Sequence, residues 1–539
     1  MKNGESFSRR TFFKLAAATL LLVPLLSSCK EKIVTLLIKL SGTNHILGHR
    51  LRTKQFPAPS RHIATPYLII GGGISGLSAA RQLTKHGITD FLLLEMEART
   101  GGNSSSGENK YSKYPLGAHY LPLPNFNDKE LLRFLEESGI ITGYKDNYPL
   151  FDEQQLTFTP QERLFYKNNW QEGLVPRYGN NAALENEFVR FFEIMEGFKN
   201  LKGSDGKYVY DIPLSICSAD LEYKLQDLLT MQEWLIQHNF SADALLEYIN
   251  YCCRDDFGLG IAHVSAWAGI HYFAGRKHNL GTENKDNVLT WPEGNSRLAS
   301  HLKKYTINKT LVNHLAFDVS YKNGNAVVLV FDDSSKETIE ITASKVIMGT
   351  PQFVNQYLLP QRKELMQSFN YAPWLLATLT LKDLPENYGY PLCWDNVIFN
   401  GNGLGYIYNQ HQNLQQLQER KVITYYHSFS TGNSKKSRKD IYGKKADHWK
   451  AFVLRDLNIA HPGIEQLVEE IDIHLIGHGM ISPVPGHIWG RSKTLAAMPL
   501  EKTIYFAHSD LSGISIFEEA FHQGIDAVNK MLDDAALDS

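Results

Sequence analysis

The hydrophobic pattern changes period sharply between residues 67 and 94. Tyr67 to Ile70 is an unbroken apolar run, Leu77, Ala80 and Leu83 then recur at helical spacing until Gly87, and Phe91 to Leu94 is apolar again. Two short apolar runs flanking a helical segment predict strand, turn, helix, strand. Further on, Asp128 stands as an N-cap before Leu131, Leu132, Phe134 and Leu135, and Gly139 closes that helix. From there to about residue 285 the pattern is mainly helical. Phe188, Phe191, Phe192 and Met195 share one face, Thr230 to Glu233 forms a capping box before Trp234, and Ser241 is placed to cap a helix through Leu245, Leu246 and Ile249. The stretch from Gly260 to Phe273 is almost wholly apolar apart from His263 and His271, so as a helix it is buried, its histidines hydrogen-bonded in the core or facing a substrate.

Strand patterns dominate the second half. Ala326 to Phe331 and Thr338 to Ile341 predict a hairpin, Ser344 to Pro351 a further strand, and residues 352–498 hold alternating strands such as Leu375 to Leu381 and Lys421 to His427. Thr503 to Asp510 reads as a last buried strand ending in an acid, followed by a helix over residues 518–527. Residues 30–65, with Pro57 and Pro59 near their end, read as a tether. Lys435 to Lys445 reads as a basic loop, either solvated or approaching anionic lipid.

The first turn carries the chemistry. Gly71, Gly73 and Gly76 stand in G-x-G-x-x-G spacing directly after the strand and open the helix. Gly71 permits the turn, Gly73 lets backbone approach a pyrophosphate, and Gly76 lets helix and strand pack closely. The helix N-terminus at Ile74 and Ser75 offers unpaired N–H groups to an anion. Glu95 ends the second strand about 20 residues on, where a carboxylate accepts ribose hydroxyls. Together these predict a bound dinucleotide.

Beyond the second strand, Glu95-Met-Glu-Ala-Arg99-Thr-Gly101-Gly102 resembles the E-x-x-x-R-x-G-G segment of the FAD-dependent amine oxidase and phytoene desaturase superfamily. Four later segments are similar in the same order: Tyr114 to Tyr120, Trp291 to Leu302, Ser344 to Pro351, and Thr503 to Asp510 with Glu518 to Ala527. The resemblance implies an α/β fold, a Rossmann-like FAD-binding domain with an inserted α+β substrate domain. The FAD-binding domain is expected over residues 66–130, 286–352 and 499–539, and the substrate domain over 131–285 and 353–498. It implies FAD contacts from Arg99, Gly101, Gly102, Asn103, Gly117, Ala118, His119, Tyr120, Val312, Asp510, Phe517, Glu518 and Ala520 besides the glycine turn and Glu95. Val312, within a strand that the resemblance implies over Leu311 to Leu315, is expected at the adenine, Asp510 at the ribityl or phosphate side, and the helix after Asp510 with its N-terminus toward the flavin. Asn103, where many members have arginine, and His508 and Glu519, where they have glycine, depart from the pattern. Without a cysteine where monoamine oxidases attach flavin, FAD is expected to be noncovalent. Lys382, at a strand end, is a weak counterpart of the lysine that reaches flavin N5 through water. His119 is either a polar contact or a structural histidine, and the catalytic residues otherwise stay open.

Composition adds bounds. Fifty-five basic and 57 acidic residues give a net charge of −2, which argues against a nucleic-acid partner. Ser8-Arg9-Arg10-Thr11-Phe12-Phe13-Lys14 resembles a twin-arginine export signal and leads into an apolar run from Leu15 to Leu26, too short to span a bilayer comfortably. Leu26-Ser27-Ser28-Cys29 then resembles a lipobox, which implies a signal over residues 1–29, lipidation of Cys29 and a membrane-anchored protein on the periplasmic side of a bacterial envelope; an uncleaved N-terminal anchor is the alternative. Cys217, Cys252, Cys253 and Cys393 have no metal-ligand spacing, and no metal is expected. The resemblance implies hydride transfer from a small-molecule substrate, an amine, to flavin, with oxygen or a quinone as electron acceptor. The alternatives are a desaturase or isomerase of a lipid-like or polyene substrate, and a flavin-binding assembly protein without turnover.

Overall fold

The computed structural model describes residues 36–177, 182–277, 287–384, 389–399, 401–414 and 418–537. Residues 38–539 form one compact unit, and of the separate unit 1–37 only residues 36 and 37 are described. The export motif and Cys29 lie outside the described residues. No described helix is long and apolar enough to cross a membrane.

One half of the compact unit is built on a seven-stranded sheet. Its order is Thr310–Leu311, Leu92–Leu94, Pro59–Ile70, Glu337–Met348, Asn325–Asp332, His314–Lys322, with Ile504–Phe506 also pairing with Glu337–Met348. The strands around Pro59–Ile70 run parallel, and those around Asn325–Asp332 antiparallel. Helix Ile74–Lys85 is buried along most of its length and packs against the C-terminal helix Phe517–Leu537. Gly524 makes that approach possible: a Cβ there would overlap Ser78 Oγ and the Ser75 carbonyl, and Ser78 Oγ donates to the Phe521 carbonyl at 2.7 Å.

The sheet differs from the sequence reading in two places. Thr338 to Ile341 and Ser344 onward belong to one twelve-residue strand, because Pro59–Ile70 begins eight residues before Tyr67 and supplies a continuous parallel partner. At residues 311–315 the chain does not run as one strand. Thr310–Leu311 ends, Asn313 takes a left-handed turn (φ 57°), and His314 starts a new strand on the far edge.

The other half is an eight-stranded sheet in the order Leu37–Gly42, Val468–Ile481, Tyr371–Leu381, Lys421–Ser428, Gly405–Tyr408, Asp395–Ile398, Glu162–Tyr166, Asn169–Glu172. Helices Ala182–Asn200, Met231–Gln237, Asp243–Phe257 and Ala266–Ala274 share a core with its inward residues Trp374, Leu376, Tyr426 and Ile476. Thr230 and Glu233 form the reciprocal capping box. Ser241 is not a cap. Helix Asp243–Phe257 starts at Ala242, and the Ser241 N–H and hydroxyl bind Glu187 instead. His271 lies in the buried helix and meets the Asp211 carbonyl at 2.8 Å, whereas His263 precedes that helix and is exposed.

Two stretches read as irregular are ordered elements. Residues 38–65 are no tether: they carry strand Leu37–Gly42, helix His45–His49 and the first half of Pro59–Ile70, because Leu47 and Leu51 have a core to enter and strand 468–481 offers an open edge. Likewise, residues 434–442 of the basic stretch are a helix, started by Asn433, whose side chain accepts the Lys436 N–H at 3.0 Å.

Candidate dinucleotide and substrate cavity

The two halves enclose a cavity of about 1480 Å³. Ordinary ligand pockets hold roughly 300–1,000 Å³, so this one has room for a dinucleotide and a substrate together. Its first wall is the glycine turn. Gly71 adopts φ 103° with its α-carbon against the Gly349 carbonyl, where a side chain has no room, and Gly73 has no heavy atom within 4 Å of where a Cβ would stand. No side chain caps helix Ile74–Lys85, so the N–H groups at Ile74 and Ser75 face the cavity ready for an anion. Gly76 does not line the cavity; a Cβ there would overlap the Gly71 carbonyl, so it shapes the turn from behind.

Glu95 lines the same wall. Its carboxylate accepts the N–H of Gly72 and of Glu97, each at 2.8 Å, while burial pushes its pKa up to about 7 despite those bonds. Hydroxyl donors from a ribose would favour the charged form. Gly101 and Gly102 both take positive φ and line the cavity, and Arg99 on its wall donates to the Ser106 carbonyl at 2.7 Å. Asn103, in the place of the arginine of many similar chains, spends its amide on the Gly479 carbonyl and so ties the two halves together. Gly117 packs on the Asn103 carbonyl, which also accepts the Ala118 N–H at 2.8 Å, bringing Gly117 to Tyr120 back along the cavity. Val312 is off the wall. His314, Leu315 and Ala316 line it, because the chain turns at Asn313 and the lining strand begins two residues on.

At the inner end the wall becomes side chains. The His119 ring lies 4.5 Å from that of Tyr426 and 4.9 Å from that of Tyr120, with Trp374 on the same surface. Burial drives His119 down to about 3, so its imidazole is neutral. Asp255 and Asp256 project from the last turn of helix Asp243–Phe257 and line the cavity. Burial raises Asp255 to about 7, with Asp256 and Glu162 adding to it. Asp256 reaches about 6, burial again leading and Arg276 pulling back. A helix C-terminus already disfavours negative charge, so these two carboxylates sit where a cation is wanted. Arg276 is engaged with Glu518 at 2.6 Å, and Glu518, Phe517 and Ala520 line the cavity from the C-terminal helix.

Asp510 lies on the wall with its carboxylate already occupied. It accepts the Gln352 N–H at 2.8 Å and the Tyr371 hydroxyl at 2.5 Å, and lies 3.0 Å from His508. Burial would raise its pKa, but His508, Tyr371 and Gln352 outweigh that and hold it low. Asp510 thereby holds the hydroxyl of Tyr371, itself on the cavity wall. Glu519 points away and accepts the Leu214 N–H at 2.6 Å. Lys382 is exposed, outside the cavity, one residue past strand Tyr371–Leu381, whose opposite end supplies Tyr371, Trp374 and Leu376 to the wall. It is no candidate for flavin chemistry. Cys217, Cys252, Cys253 and Cys393 are buried thiols.

The sequence reading missed Asp255 and Asp256. Their signal was two adjacent acids in the final turn of an amphipathic helix, where Lys or Arg is usual. It also missed Thr43, Asn44, His45, Gly48, His49, Leu51 and Arg52, and Lys435, Arg438 and Lys439, all of which line the cavity.

Residues 69–138 match the family described as NAD(P)-binding Rossmann-like domain. A flavin-containing amine oxidase A from Equus caballus is 35% identical over 119 residues, which is 19% of this chain and 21% of that protein; the chain thus matches about a fifth of that relative's length. In fold, putrescine oxidase bound to putrescine superposes with a TM-score of 0.64 at 15% identity, covering 88% of this chain and 100% of that one. A fatty acid isomerase from P. acnes gives 0.60 at 15% identity, covering 86% and 98%. The residues lining this cavity fit FAD: the glycine turn, the Glu95 carboxylate and the paired glycines at 101–102 all stand on one wall of it.

Proposed function

We propose that the protein is an FAD-dependent oxidoreductase of amine-oxidase type acting on a small amine. The observation that carries this reading is the inner end of the cavity, where Asp255 and Asp256 stand in the same chamber as the rings of His119, Tyr120, Trp374 and Tyr426. Two buried carboxylates at a helix C-terminus attract an ammonium, and aromatic faces hold it. The amine that reacts is the neutral one. Asp255 and Asp256, with pKa values near 7 and 6, can take the ammonium's proton on entry, which a carboxylate of ordinary pKa does poorly. Neutral His119 and the tyrosines then leave an uncharged pocket that favours the free amine. FAD held here would supply the acceptor for a hydride from the carbon beside the nitrogen; water would hydrolyse the resulting imine, and oxygen or a quinone would take up the electrons.

Lipid-like substrates are the second reading, favoured by Leu376, Ile476, Met480 and Ile516 on the same surface and by the shared fold of the fatty acid isomerase. Anaerobic mixing of the holoprotein separates the two. Bleaching of the visible flavin band by amines, with D255N and D256N each raising the amine KM about tenfold, supports the first. Bleaching or product formation only with fatty acids or polyenes, unaffected by D255N, overturns it. We also propose export by the twin-arginine route and lipidation at Cys29, resting on residues 8–29. Loss of membrane association in a Cys29→Ala strain supports it, and unchanged fractionation overturns it.

A further inference from the structure

The outer wall of the dinucleotide site comes from an unexpected part of the chain. Residues 38–56, ahead of the first Rossmann strand, cross from one half of the molecule to the other. On one side Ser41 Oγ meets His474 Nδ1 at 3.0 Å, and Gly42 lies so close to the Leu475 carbonyl that a Cβ would crowd it. On the other side the Asn44 N–H donates to Glu97 Oε1 at 2.8 Å, Gly48 packs against Met96 Sδ, and Leu47 and Leu51 are buried with Ile70, Leu94 and Leu315. Met96 and Glu97 directly follow the ribose carboxylate Glu95, so the segment lies over the adenosine half of the site. The His45 ring stacks on Tyr442 at 4.1 Å, joining the segment to helix Ser434–Tyr442.

Charge runs the same way. The strand end after the glycine turn puts Glu95, Glu97 and Arg99 on the cavity, and His49 and Arg52 of the segment and Lys435, Arg438 and Lys439 of the neighbouring helix line it as well, Arg438 donating to the Tyr371 carbonyl at 2.9 Å. A pyrophosphate at the Ile74 and Ser75 N–H groups would share the cavity with these basic side chains.

We infer that residues 42–52 are a clasp on the cofactor: they close the adenosine half of the FAD site from outside and must lift for FAD to enter or leave. The inference rests on the FAD assignment of the cavity. Both anchors of the clasp are contacts within the protein, so lifting it costs their free energy and raises the barrier to FAD release.

The test uses the full holoprotein. Hydrogen exchange of residues 38–56 is compared with and without FAD, and FAD release is followed by the recovery of free-flavin fluorescence on dilution. Exchange across 38–56 should slow when FAD binds, and L51S, which breaks the buried anchor, should speed release about tenfold. H45A, which removes only the stack on Tyr442, should speed it less and guards against a folding failure of L51S. Exchange unchanged by FAD, or a segment freed by mutation with release unaltered, overturns the clasp alone. A protein that takes up no FAD overturns the cofactor assignment and the clasp with it.

Discussion

The wall that receives the dinucleotide and the wall that faces the substrate draw on the chain in opposite ways. The first is mostly backbone. Gly71, Gly73, Gly101 and Gly102 lie within 32 residues, and what they contribute is the absence of a side chain. The second is side chains alone, with Asp255, Asp256, His119, Tyr120, Trp374 and Tyr426 spread over some 300 residues. A pyrophosphate is the same in every dinucleotide site and asks for N–H groups at one geometry, which a local turn can supply. A substrate asks for a shape and a charge, which only converging elements can supply.

Breaking the backbone wall should have the largest effect. Gly76→Ala puts a methyl into the Gly71 carbonyl, and neither strand Pro59–Ile70 nor helix Ile74–Lys85 can yield. The expected cost is about 3 kcal/mol and a purified protein without yellow colour, read from the flavin absorbance per chain. Retention of full FAD content would show that the turn tolerates what the geometry forbids.

The substrate wall should respond to charge and pH before it responds to shape. Asp255 and Asp256 have folded pKa values raised by burial to about 7 and 6. Their protonated forms favour the fold, so that contribution is whole below the unfolded value of about 4 and is lost as pH rises through the folded values. The D255N/D256N variant escapes this loss. Its stability relative to the parent should therefore climb between about pH 4 and 7, by on the order of 1 kcal/mol or more per group, as followed by paired thermal melts. A difference that stays flat with pH would place the two carboxylates in water and remove them from the substrate wall.

The smallest change marks the background to both. Thr230→Ala removes a capping box remote from the cavity lining and should cost about 1 kcal/mol by denaturant titration. FAD content and pH response should be those of the parent. An altered FAD content would mean that the helical block and the dinucleotide wall are less separate than the comparison holds.

Much of the dinucleotide wall was legible because its signals are local. The strand, glycine turn, helix and Glu95 follow one another within 29 residues, and each has a physical reason to be where it is. Asp128 and Thr230 were legible as caps for the same reason: a cap acts within three residues of itself. Ser241 failed that test because Glu187, 54 residues away, competes for its N–H and hydroxyl. Val312 is off the cavity wall because one left-handed residue, Asn313, divides what the resemblance implied as one strand. Lys382 failed because a strand end can face solvent or cavity, and only the direction of Tyr371–Leu381 decides which.

The segment 38–56 shows the limit most plainly. Taken alone it has a few scattered apolar residues and prolines, which is why it reads as a tether. Leu47 and Leu51 become core only when Ile70, Leu94 and Leu315 are already assembled beneath them, and Gly42 finds its place only beside Leu475, more than 400 residues later. The sequence by itself determined the dinucleotide turn, the carboxylate at its ribose and the order of the elements around them, because those depend on neighbours along the chain. The tertiary structure alone decided which acids share the cavity with the aromatic rings, which basic residues line it and what packs over Met96 and Glu97, because each requires groups far apart in the chain to share one chamber.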